Sequence, residues 1–450
     1  MYQRSAKAAR PQIAPGVSRL MEALCYTFCQ DLLRTLDRQL DRRLVETFFA
    51  VVLVVLRHRH GMHGLLLSEM GGWLVGAAAA CAGTKRLKKL LYSIKWHSSL
   101  VADFLWQQAD QTLHTLHQAG ETPLVIWDES VLEKSESLKV EGLSPVRSAK
   151  AARLARIKPG YFNPPLERPI FVPGFHWLAI LVMGAKGVPQ LAHVAFWRTR
   201  GAGATDKRSV ELPLLHQLAQ RWGRQVLHVW DRGFAGAPWL EAAVTANVRF
   251  VVRWTKTYHL VDALGQSQTA GHILRRYRSK SHRLVWDARR REWRKTGLVM
   301  VQVAHPKVPG RFWLIASRPG KGRKPWYLLT NEPLQTLDDA WQIVFAYARR
   351  WQVEMTLRFE KAELGMASPR LQKWETLCKL WQLVALVYAF LLSLLDWRLQ
   401  TLCDWLLQYG CPRTGKWRQH VLTPLYRLVE ALSILWTTHP PPLLQRLNSG

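Results

Sequence analysis

The sequence predicts an α/β protein: a mixed core of strands and helices, flanked at both ends by helical regions and interrupted by a strand-rich stretch. Three observations lead there. Residues 1 to about 115 place apolar side chains at three- and four-residue spacing and carry few strand signals. From about 122 short apolar runs alternate with helical segments. Residues 254 to about 328 then break that alternation with strand-like pieces separated by turns, before helices resume to the end.

Size and charge narrow the class further. A chain of 450 residues exceeds one ordinary domain. At 48% hydrophobic residues it has the material for substantial cores, which excludes a disordered protein. Lys and Arg number 63 against 32 Asp and Glu, and the net charge of +31 attracts polyanions, nucleic acid first among them. Ribosomal and histone-like proteins are equally basic but shorter and poorer in tryptophan, of which this chain has 22. The six cysteines form no CxxC pair and sit mostly among apolar residues, so an intracellular, reducing compartment is expected. Residues 1–20 have no apolar h-region of a secretory signal. The apolar runs Phe48 to Leu56 and Leu383 to Leu395 fall short of the ~20 residues that span a bilayer, so both read as buried helices and no membrane association is expected.

Taken in order, the first expected unit is a helical region, 1–121. Within it Thr84 is expected to cap a helix over Lys85 to Trp96, with Leu87, Leu90, Leu91 and Ile94 on one face and Lys85, Lys88 and Lys89 largely on another. That helix is either a DNA contact or an ordinary amphipathic helix with a solvated basic face. Leu124 to Trp127 reads as a buried strand ending in Asp128. Residues 133–169 form a long basic connection. Phe171 to Met183 and Val188 to Trp197 read as strands joined by the Gly184–Gly187 turn, followed by a helix from about Asp206 to Trp222. Gln225 to Trp230 is a strand running into Asp231, Pro238 suits a helix start, and Arg249 to Arg253 is a further strand. One long helix is expected from about Thr336 to Leu364, with Asp338 and Asp339 in its first turn as the helix dipole favours. Pro440 to Pro442 marks a stiff tail.

The chemistry lies in carboxylates. Asp128 and Asp231 each end an apolar strand, and strand ends of an open α/β sheet are where binding sites assemble. Neighbouring strands would let both converge on hard divalent cations, although a strand-end Asp can also simply start a turn. On the helix from Thr336, Tyr347, Arg350, Glu354 and Lys361 follow spacings of three, four and seven, which puts them within roughly 60° of one another. A carboxylate between cations and a phenol can bind metal while its neighbours hold phosphate oxygens; a solvated ion-pair face is the other reading. Glu129, Asp206 and Glu360 are competing acids. Capping explains Asp206 better, and Glu360 points away from the stripe.

The segment Tyr347-Ala-Arg-Arg350-Trp-Gln-Val-Glu354-Met-Thr-Leu-Arg-Phe-Glu-Lys361 resembles the Tyr-x2-Arg-x3-Glu-x6-Lys signature of bacterial insertion-sequence transposases of the IS-four type. Asp231-Arg232-Gly233-Phe234 resembles the second-acid motif of that family, and the apolar strand before Asp128 resembles the setting of its first acid. The likeness covers about 122–365. It implies an RNase H-like mixed-sheet catalytic core carrying a β-rich insertion, in segments 122–253, 254–328 and 329–396. Beyond the likeness, the helices of 1–121 are expected to read the element's terminal sequence, and a C-terminal helical region, 397–450, to pair two protomers, because joining two ends requires two active sites in one complex. The likeness implies Asp128, Asp231 and Glu354 as catalytic metal ligands for Mg²⁺ or Mn²⁺. It further implies Arg350, Lys361 and Tyr347 on phosphates, Arg232 beside the DNA, and Trp326 stacked on a flipped base, a role shared with core filling as an alternative. The expected function is two-metal hydrolysis and strand transfer at the ends of an insertion sequence. The partners are double-stranded DNA and a second copy of the chain, and the setting is cytoplasmic and nucleoid-associated. A structure-selective nuclease on the same core, or a catalytically silent DNA-binding protein, are the other readings; mere DNA binding has no use for clustered acids.

Overall fold

The computed structural model describes residues 10–57, 64–134, 139–157, 168–287, 292–320, 323–410 and 425–448. Five helices come first: α1 (Arg10–Asp37), α2 (Arg42–Arg57), α3 (Leu67–Val75), α4 (Ala80–Leu91) and α5 (Ser99–Gln118). Then follow β1 (Leu124–Glu133), β2 (Ser144–Arg147), α6 (Ala149–Ile157), β3 (Phe171–Met183), β4 (Gln190–Trp197), α7 (Lys207–Trp222), β5 (Leu227–Trp230), α8 (Ala237–Thr245) and β6 (Arg249–Arg253). The strand-rich stretch contributes β7 (His259–Val261), β8 (Ser267–Thr269), α9 (Ala270–Arg275), β9 (Ser281–Asp287), β10 (Glu292–Ala304), β11 (Arg311–Arg318) and β12 (Trp326–Thr330). The chain closes with α10 (Leu337–Ala348), α11 (Trp351–Ala362), α12 (Trp374–Ser393), α13 (Gln400–Gly410), α14 (Leu425–Thr438) and α15 (Pro442–Asn448).

The core is a mixed sheet. β1 lies between β3, antiparallel to it, and β5, parallel to it; β4 extends the β3 edge antiparallel, and β6 continues the β5 edge parallel. This arrangement, with helices on both faces, is the expected RNase H-like mixed-sheet core. The insertion does not form a separate sheet. β12 pairs with β6 and β11, so the hydrogen-bonded ladder runs unbroken from the core strands into the inserted ones.

Strand alternation sorts the apolar side chains to two faces. Leu124, Ile126, Leu227 and Val229 face one core with α2, α10, α11 and α12. Val125, Trp127, Trp230, Phe250 and Val252 face the other, with α7 and α8. Burial on both faces explains why these strands read as continuous apolar runs.

Helices from both ends of the chain share the first core. Ser433 donates to the Arg57 carbonyl at 2.8 Å, Ser18 to the His439 carbonyl at 2.7 Å, and the Leu443 amide to Glu22 at 3.1 Å. α12, 20 residues long, is the one helix among the described residues long and apolar enough to cross a membrane, with mean hydropathy 1.6 over its most apolar 18-residue window, but it runs through the centre of this core and is almost wholly buried.

Several local expectations need correction. Thr84 does not cap a helix: α4 starts at Ala80, and the Thr84 hydroxyl bonds back to the Ala80 carbonyl at 2.8 Å inside it. Leu87, Leu90 and Leu91 are buried as expected, but Ile94 lies beyond the helix and is exposed. β1 runs on to Glu133, so Asp128 sits in mid-strand, and the 133–169 connection contains β2 and α6. Pro442 opens α15 instead of lying in a stiff tail, which suits a residue whose missing amide costs nothing in a first helical turn. The helix from Thr336 has its capping box, with Thr336 and Asp339 each accepting from the other's backbone, but it is two helices and not one. At the break, hydrogen bonds to the third residue back replace those to the fourth: Arg350 to Tyr347 at 3.0 Å, Gln352 to Arg349 at 2.9 Å.

Candidate active site

The two aspartates meet because of strand register. Trp127 of β1 lies opposite Trp230 of parallel β5, and that pairing ends there, so the next residues, Asp128 and Asp231, emerge side by side. Alternation points Asp128 to the face of Leu124 and Ile126, the face on which α11 packs across β1. Asp128 still pairs with Ala179 of β3, which explains why the strand continues past it. Asp231 leaves β5, and its carboxylate accepts the Gly233 amide at 2.5 Å, starting the short turn Arg232–Phe234.

α11 brings the third acid. Arg350, at the break before it, reaches Asp128 with one guanidinium nitrogen at 3.1 Å and Glu354 with the other at 3.3 Å. Asp128 and Arg350 are mostly buried, with side chains 15% and 16% exposed, whereas Glu354 is 47% exposed. Burial pushes the Asp128 carboxyl up to about 7; Arg350 opposes this, and the charges of Asp231 and Glu354 add to it. Burial works against the charge on Arg350, but Tyr347, Asp128, Asp231 and Glu354 together hold its affinity for a proton above the ordinary arginine range.

Lys361 leaves this stripe for β1. Its ammonium donates to the Ser130 hydroxyl at 2.8 Å and the Val131 carbonyl at 3.2 Å, just past Asp128. Tyr347, on the last turn of α10, is buried, and its hydroxyl has no well-formed hydrogen bond among the described residues. Trp326 opens β12 and sets its ring edge-to-face with Tyr347, centroids 5.2 Å apart. Both rings line a cavity of about 530 Å³ together with Glu354, Arg350, Arg253 and Arg323. Arg232 is exposed at the start of the turn after Asp231.

The structure thus brings Asp128, Asp231, Glu354, Arg350, Tyr347 and Trp326 to one place, with Lys361 and Arg232 at its borders. Among the competing acids, Asp206 caps α7 by accepting from the Arg208 and Ser209 amides. Glu360 is fully buried on the far side of α11. Glu129 forms an ion pair with Lys207, whose ammonium also approaches Glu211 at 3.9 Å and the Gly233 carbonyl at 3.3 Å. Lys207 and Arg253 are residues that the sequence reading missed. Arg253 had a usable signal, since it ends strand β6 as Asp231 follows the end of β5; Lys207 had only its place after the Asp206 cap.

Among the described residues no three His, Cys, Asp or Glu side chains stand close enough to hold a metal ion as placed. The guanidinium of Arg350 occupies the space between Asp128 and Glu354. The donor set nonetheless suits a hard divalent cation: carboxylates only, held in one another's field, with one of them strained toward protonation.

A family model described as a transposase DDE domain matches residues 174–390. Residues 174–390 are thus similar to a transposase DDE domain, the same family type that the Tyr347–Lys361 signature resembles. The matched stretch starts at β3 and contains Asp231 and Glu354, while Asp128 precedes it. No curated protein matches the chain. Among solved structures it is similar to a piggyBac transposase in a synaptic complex with hairpin DNA, at 11% identity and a TM-score of 0.43, over 98% of this chain and 84% of that one.

Proposed function

We propose that this protein cuts DNA at the ends of an insertion sequence and joins those ends to new DNA, with Asp128, Asp231 and Glu354 holding divalent cations, Mg²⁺ or Mn²⁺. The observation that carries the reading is the gathering of these three acids around Arg350 at the edge of a cation-lined cavity. When bound, such ions supply activation of the attacking oxygen and stabilisation of the leaving one in an in-line phosphoryl displacement.

The protein's own groups account for the rest. Water attacks the phosphodiester at the element end; the P–O3′ bond breaks, water gives up a proton, and the 3′ oxygen takes one. The freed 3′-hydroxyl then attacks a phosphodiester of the target, releasing another 3′-hydroxyl. Arg350 and Lys361 offset charge gathering on the phosphate, and the buried Tyr347 hydroxyl donates to one of its oxygens. Arg232 contacts the adjoining strand, and Trp326 receives an unstacked base. The helices of 1–121 read the terminal repeats of double-stranded DNA. The 397–450 helices pair two protomers, because joining two ends needs two sites.

The test uses a plasmid with paired element ends. Asp128→Ala, Asp231→Ala and Glu354→Ala should each abolish Mg²⁺-dependent cleavage and joining while end binding persists. Near-wild-type cleavage by any one variant removes that residue from the site. Cleavage without joining by the unaltered protein would make it a nuclease.

A further inference from the structure

β9 and the first half of β10 form a two-stranded arm. β10 pairs with β9 over Glu292–Leu298, while β11 joins its other side only from Gly297 onward, so the arm extends past the sheet. Its inner face, with Val285 and Arg294, forms a wall of the cavity beside Glu354. Its outer face is of a different kind. Lys280, His282, Leu284 and Trp286 alternate outward along one strand, with Trp293 and Lys295 opposite Trp286 and Leu284 on the other. Leu284 is 59% exposed, Trp286 41% and Trp293 64%, and the two indole centroids lie 5.5 Å apart.

An edge strand normally hides apolar side chains, and two uncovered tryptophans on one are costly unless something covers them. The described residues of this face include cations and no carboxylate. The arm's acids lie elsewhere, Asp287 paired with Arg323 and Glu292 with Arg294. On a chain of net charge +31 a second copy would meet repulsion here, while a polyanion would be drawn in. Duplex DNA offers phosphates but keeps its bases stacked. Flat aromatic surfaces set between cations match a strand whose bases are free.

We infer that the outer face of the β9–β10 arm is a binding platform for single-stranded DNA, with Trp286 and Trp293 stacking on unpaired bases and Lys280, His282 and Lys295 following the backbone. The inference rests on the reading of the chain as a DNA-acting protein. It places a strand opened by cleavage on the opposite side of the wall from the acids.

The test compares full-length protein with the Trp286→Ala/Trp293→Ala variant for binding of labelled oligothymidylate and of a labelled duplex. Both rings are exposed, so the fold should persist. The variant should lose about tenfold or more in oligothymidylate affinity and keep its duplex affinity. A Lys280→Glu/Lys295→Glu variant should lose oligothymidylate binding as well, and guards against a misfolded first variant. Unchanged oligothymidylate affinity in both variants overturns the inference, as does an equal loss for duplex. A change in oligomeric state on sedimentation with DNA affinity intact also overturns it and makes the face a contact between copies. If the unaltered protein binds neither DNA, the DNA-acting reading itself falls.

Discussion

Glu360 and Glu354 lie on one helix, and replacing each should separate stability from chemistry. Glu360 is fully buried in α11, and neither carboxyl oxygen has a partner among the described residues. Burial holds its pKa well above the ordinary 4.5, so the folded protein keeps it neutral. A buried polar group left unsatisfied costs about 1–3 kcal/mol. Glu360→Met removes that cost and nearly conserves volume, against a repacking loss under about 1.5 kcal/mol. A net gain of about 1–2 kcal/mol should raise Tm by roughly 2–4 °C. The pH dependence gives an independent check. Above 4.5 the unfolded chain releases a proton that the folded one retains, so the stability contributed by this group is complete below 4.5 and shrinks as pH rises toward its folded value. The advantage of Glu360→Met should therefore be larger at about pH 8 than at about pH 5. DNA cleavage should be unaffected, since the carboxyl faces away from the cavity. Glu354→Gln should do the opposite, leaving Tm nearly unchanged and abolishing cleavage. Scanning calorimetry at the two pH values, alongside plasmid cleavage, decides. If Glu360→Met lowers Tm at both pH values, or abolishes cleavage in a stable protein, the assignment of the two acids is wrong.

His228, buried in β5 and accepting the Trp127 indole proton at 3.2 Å, is pushed down to about 3 by burial. Because its folded value lies below the ordinary 6.5, the stability it supports is complete above 6.5 and is lost as pH falls toward 3; denaturant midpoints of His228→Gln should vary less across that window, and an unchanged slope would refute this. Trp326→Ala should leave the first nick nearly normal and slow strand transfer by the roughly 1–3 kcal/mol that a stacked base returns. Equal slowing of both steps, with a lower Tm, would show that the ring only fills space against Tyr347.

The sequence made the site legible where local rules place it. Asp231 ends a four-residue strand between turn signals, and Glu354 carries a spacing that only a helix makes meaningful. Asp128 was found for an incomplete reason: its strand does not stop there, but the parallel neighbour does, and pairing with Ala179 is a long-range fact that no local pattern carries. The break at Arg349–Arg350 left no mark either, since neither residue is a helix breaker. Arg350 pairs with Glu354 one helical turn on, as the spacing implies, while its contact with Asp128 of β1 is again a long-range fact. Arg253 offered its place at the end of β6, but Lys207 stayed hidden because a single basic residue in a chain so rich in them carries no signal until the fold gathers them.

The pairing of β12 with β6 has a mechanical consequence. The backbone that starts at Trp326 is bonded to the strand that ends at Arg253, and that strand is bonded to β5, which delivers Asp231. The distance from the tryptophan to the second acid is thus spanned by a ladder of backbone hydrogen bonds instead of a tether. Such a ladder twists but hardly stretches, so the insertion works as a fixed gauge. On the proposed function, this gauge would set how far along a strand from the cut a base leaves its stack against Trp326.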